Sequence, residues 1–96
     1  MELQQELNDL IKEIKKLKKD LKDSYNDLSE LKHELVCLNN NKRFSDEDEQ
    51  KDIELQIKNK KIEIKDLETD IKEQEKYILE LEQEQEVIKE EIEELK

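Results

Sequence analysis

The sequence predicts an all-α fold: a coiled coil in which two long helices, joined by a short loop, fold back as an antiparallel helical hairpin. Three observations carry this. There is no Gly and no Pro among the 96 residues, so the strongest helix breakers and the usual β-hairpin turn signals are both missing. Charged residues make up 49% and hydrophobic residues 32%, with Glu, Lys, Leu and Ile dominant. That apolar supply is too small for an ordinary globular core and, if scattered, would signal disorder. It is not scattered: apolar residues recur every 3.5 positions on average, which keeps one stripe facing a partner helix in a left-handed supercoil.

The first stripe runs Leu3, Leu7, Leu10, Ile14, Leu17, Leu21, Ser24, Leu28, Leu31, Leu35 and Leu38. Leu7 and its heptad mates occupy position a, and Leu3 and its mates position d. The second runs Ile53, Ile57, Lys60, Ile64, Leu67, Ile71, Gln74, Ile78, Leu81, Gln85, Ile88, Ile92 and Leu95. Fifteen residues separate Leu38 from Ile53, one more than two heptads, so the phase slips between them. The seam there would hold Lys42, Ser45 and Glu49, all polar.

This interruption has the chemistry of two helix ends. Asn39, Asn40 and Asn41 suit a C-terminus, and Lys42 and Arg43 complement its negative dipole end. Ser45 followed by Asp48 reads as a capping box, and Asp46 to Glu49 place negative charge in a first turn. The expected layout is one coiled-coil domain over 1–96: helix 1 about 2–40, loop about 41–45, helix 2 about 46–96.

A fold centred on Phe44 would set Leu31 against Ile57, Leu35 against Ile53, Leu21 against Leu67 and Leu7 against Leu81, with Lys60 opposite Leu28. Acidic g positions such as Asp20 and Asp27 would then meet acidic neighbours, which weakens the pairing only modestly. The alternative is a long parallel dimeric coiled-coil rod with a hinge, favoured by Ile at a and Leu at d in helix 2. It would set Lys60 against its own copy. The caps favour the hairpin.

The expected core seam comprises Leu7, Ile14, Leu17, Leu21, Leu28, Leu31, Leu35, Ile57, Ile64, Leu67, Ile71, Ile78 and Leu81. In the Phe44-centred fold, residues 86–96 overhang helix 1, leaving Ile88, Ile92 and Leu95 as a candidate docking end, since an uncovered apolar stripe marks an interaction site. Leu55 and Ile62 offer a weaker hint on the opposite face.

Other residues are better read as surface. His33 and Cys37 share a helix face, but a structural zinc site wants four ligands, so no metal is expected. The lysines from Lys12 to Lys22 form a basic cluster interleaved with Glu13 and Asp20, a solvated, internally paired face. The glutamates from Glu80 to Glu94 solubilise the helix or face a basic partner.

A net charge of −11 opposes binding to nucleic acid or anionic membrane, and no apolar run approaches a membrane span. There is no glycine loop, no activated nucleophile and no pocket expected, so neither enzymatic activity, cofactor nor small-molecule substrate is expected. The start Met1-Glu2-Leu3-Gln4 lacks a signal-peptide layout, and one Cys permits no internal disulfide, so an intracellular site, cytoplasmic or nuclear, is expected.

The seam resembles coiled-coil rods, arms of large ATPases and scaffold segments in general, without a family-specific motif. The expected function is structural or scaffolding: self-association, as a dimer, and contact with another helical protein through heptad faces. One alternative is an acidic helical inhibitor or nucleic-acid mimic that binds a basic groove of another protein. Another is an arm fragment of a larger coiled-coil protein, mildly disfavoured by the initial Met1.

Overall fold

The computed structural model describes residues 2–95 as two helices, α1 (Glu2–Lys42) and α2 (Glu47–Glu94), with no strand among them. The chain is an all-α helical hairpin, not a parallel rod, because it reverses at residues 43–46. It divides into two compact units. One holds Ser24–Ile71, including the turn; the other joins Met1–Asp23 to Lys72–Lys96.

The reversal follows from local chemistry. Asp46, not Ser45, caps α2: its Oδ1 accepts the backbone N–H of Glu49 at 2.9 Å. The cap therefore sits one residue later than the Ser45–Asp48 spacing suggests, and Ser45 instead closes α1 by donating its hydroxyl to the carbonyl of Asn41 at 2.8 Å. Gln50 reaches back from the first turns of α2. Its Nε2 donates to the carbonyls of Lys42 (3.2 Å), which also accepts the Ser45 N–H, and of Ser45 (2.9 Å), adding a side-chain donor where the end of α1 lacks intrahelical ones. Asp46→Ala is expected to cost about 1 kcal/mol, read as a lowered urea midpoint.

Gln50 also shows where the phase slip is absorbed. It is half-buried while Glu49, the expected seam residue, is exposed. The first turns of α2 thus rise past the end of α1 before pairing begins near Ile53. Lys42 consequently pairs with Glu54 at 2.9 Å, and Lys60 with Glu34 at 2.7 Å. The Phe44-centred register, which set Lys60 against Leu28, is corrected by about one heptad.

In the unit of the chain ends, the correction changes what is covered. Leu7, Leu10, Ile14, Leu81 and Ile88 form one buried cluster, with Leu17 and Ile92 packed against it. Ile88 is 8% exposed, so it does not overhang α1, and Ile92 is partly covered. Of the three residues expected to be bare, only Leu95 is, at 69%. The shifted register buries Ile88 and covers part of Ile92, where a fully buried isoleucine contributes roughly 1.5–3 kcal/mol, while the turns of α2 left unpaired, residues 47–52, hold no apolar side chain.

In the unit of the turn, Leu28, Ile57, Ile64 and Ile71 are buried, and Leu31, Leu35, Leu38, Ile53 and Leu67 are half-buried. No described side chain is exposed by less than 2%, as expected where two helices alone share a seam.

Candidate functional site

Each helix has five heptad positions outside the seam. In an antiparallel pair the e and b positions of both helices form one flank and the g and c positions the other. The two flanks of the chain-end unit differ sharply in charge.

On the g and c flank, α1 contributes Glu2, Glu6, Asp9, Glu13, Asp20 and Asp23, and α2 contributes Glu73, Glu80, Glu84, Glu91 and Glu94. Lys16 is the one cation at these positions. Part of this flank forms an open groove whose floor is Leu10, Leu81 and Ile88 and whose rim is Glu6, Asp9, Glu13 and Glu84. Val87, 53% exposed, lies on the same flank.

The e and b flank is mixed and segregated by helix. Its α1 edge carries Lys15, Lys18 and Lys22; its α2 edge carries Glu75, Glu82, Glu86 and Glu93 with Lys72 and Lys89. Between the edges lies a second groove lined by Lys18, Leu21, Ile78, Leu79 and Glu82, among others. Lys18 spans it to Glu82 at 3.7 Å, an exposed pair worth at most about 1 kcal/mol. Leu79, at b, is 57% exposed, and Ile11, at e, is exposed.

In the turn unit, Lys60 occupies a d position of the seam. Its Nζ donates to Glu34 at 2.7 Å across the pair and lies 3.5 Å from Glu63 on its own helix. One ammonium thus joins a g carboxylate from each helix, relieving the repulsion expected along that flank. The hydrogen bond to Glu34 raises the Lys60 pKa above the ordinary lysine value; partial burial opposes this, and the charges of Glu34 and Glu63 reinforce it. A raised pKa means that the stabilisation is complete below the ordinary lysine range and lost as pH rises through the folded-state value. The stability of the native chain relative to Lys60→Met is therefore expected to fall between neutral and strongly alkaline pH. Urea titrations of both chains check this, and a gap independent of pH would contradict it.

His33 and Cys37 do approach one another, with Cys37 Sγ 3.8 Å from His33 Nε2 on an exposed face. Among the described residues, no group of three or more His, Cys, Asp or Glu side chains is placed to hold a metal ion. No described helix is long and apolar enough to cross a membrane.

Several other apolar residues are exposed. Phe44 is 89% exposed at the turn. Leu79 and Val87 were hidden among the glutamates of α2, although their b and c heptad positions place them outside the seam. Leu55 and Ile62, the pair expected on the face opposite the seam, are 59% and 51% exposed.

No protein-family model, curated protein or solved structure matches the chain.

Proposed function

We propose that this chain is a structural coiled-coil protein that acts by contact rather than catalysis, self-associating and holding other protein through its helix faces. One observation carries the reading: the seam is incompletely covered by two helices. Leu17, Leu21, Leu31, Leu35 and Leu67 all stay half-buried, and grooves with apolar floors flank the seam. Further helices laid against such a pair would complete its core, as in bundles of four. The exposed Cys37 suits a reducing, intracellular setting.

Sedimentation equilibrium over a concentration series tests this. The mass is expected to rise from one chain to two, and Leu17→Asp to lower both helicity and association. A helical, cooperatively melting single chain at every concentration, unaffected by Leu17→Asp, would overturn it.

A second reading is favoured by the acidic groove around Leu10, Leu81 and Ile88. Carboxylates ringing an apolar floor would suit a basic protein surface, including one that normally takes phosphates. Such binding would weaken steeply with salt and on reversing the rim carboxylates Glu6, Asp9, Glu13 and Glu84 to lysine. Affinity independent of ionic strength would rule it out.

A further inference from the structure

We infer that the chain self-associates through one defined flank, the e and b face of the chain-end unit, and that the occupant of its groove is α1 of a second copy. This rests on the self-association proposed above and names the surface that performs it.

The two flanks leave one choice. Two copies meeting through their g and c flanks would bring together carboxylates with only Lys16 of each copy to offset them. Like charges placed face to face at an interface oppose association. The e and b flank has the opposite character. It is cationic along α1, mainly anionic along α2, and has an apolar strip between. Such a surface is complementary to itself when turned by a two-fold axis running parallel to the helices. That rotation lays α1 of one copy, antiparallel, on α2 of the other.

Residue heights follow from the pairing within one chain. Lys18 Nζ reaches Glu82 Oε2 at 3.7 Å within its own chain, the two long side chains bridging their offset along the axis. The rotation preserves height along the axis, so Lys18 of one copy stands at that same offset from Glu82 of the other, within side-chain reach. One turn along, Lys15 and Glu86 stand in nearly the same relation. Glu86 makes a 3.6 Å contact with Lys89 on its own helix and is exposed, as is Lys15. Leu79 then lies beneath the aliphatic stems of Lys18 and Lys22 of the second copy, which cover apolar surface while their ammonium groups stay in water. Leu21 and Ile78, on the groove floor, lose their remaining exposure in the same contact.

The test is sedimentation equilibrium of the full chain and four variants, with circular dichroism to verify helicity. The substituted side chains are all exposed in the single chain, so the hairpin is expected to remain folded. Leu79→Glu is expected to weaken dimerisation about tenfold or more. Val87→Glu, a similar change on the other flank, is expected to leave it unchanged. Lys15→Glu should weaken it, and Lys15→Glu combined with Glu86→Lys should restore it, which a loss of helix stability would not do. If the native chain dimerises but Val87→Glu disrupts it while Leu79→Glu does not, the assigned flank is wrong and self-association stands. If the native chain keeps the mass of one chain throughout, self-association falls and this surface with it.

Discussion

Ile71→Asp is expected to abolish the folded state. Ile71 is 3% exposed, the least of any described apolar residue in the core. Truncating a buried isoleucine to alanine costs roughly 2–5 kcal/mol. Aspartate adds a carboxylate at a buried, apolar seam position. Small domains have about 5–15 kcal/mol of total stability, and a two-helix seam has few apolar layers over which to spread the loss. The helical circular dichroism signal of Ile71→Asp should collapse under conditions where the native chain is folded. Ile62→Asp is the control: it is the same substitution at a residue 51% exposed, and its effect should stay within about 0.5 kcal/mol. Equal losses in the two variants would mean that Ile71 does not face α1.

The second large effect separates the two registers. Leu7 shares a buried cluster with Ile88, and Ile92 packs against it. Leu7→Asp should therefore strip cover from the C-terminal turns of α2 as well as from α1, at a cost of several kcal/mol. Leu95, 69% exposed, has little to lose, so Leu95→Asp should be nearly silent. Hydrogen exchange around Ile88 and Ile92 reads the difference directly. Protection there should vanish in Leu7→Asp and persist in Leu95→Asp. If α2 truly overhung α1 beyond residue 86, that protection would be absent in the native chain and Leu7→Asp would not alter it.

The seam itself was legible, because a 3.5-residue apolar period sustained from Leu3 to Leu38 and from Ile53 to Leu95 separates inside from outside at every turn. Register was not. Sliding one helix by a heptad maps each a onto another a and each d onto another d, so the inward set stays the same. The choice is made at the turn, where Asp46 rather than Ser45 takes the capping position and Gln50 folds back over the carbonyls of Lys42 and Ser45. Both capping choices look alike in a run of serine and acids. The role of Lys60 was hidden for the same reason: opposite Leu28 it is only a tolerated polar residue, whereas beside Glu34 and Glu63 it is a bridge. The asymmetry of the flanks lay in the residues throughout, but it emerges only when the e, b, g and c positions of both helices are joined in one antiparallel frame.

The central claim, antiparallel pairing of the two chain ends in this register, is tested most directly by a distance between spin labels. The labels would be placed at Gln5 and Glu90, both exposed outer positions, with Cys37→Ser to leave no other thiol. Dilution with unlabelled chain removes contributions between copies. Helix axes about 8–10 Å apart, with labels on the two outer sides, give a narrow distribution near ~20–30 Å. A parallel rod would place the same residues more than ~100 Å apart along one helix, beyond the range of the method, and the absence of a short distance would contradict the hairpin.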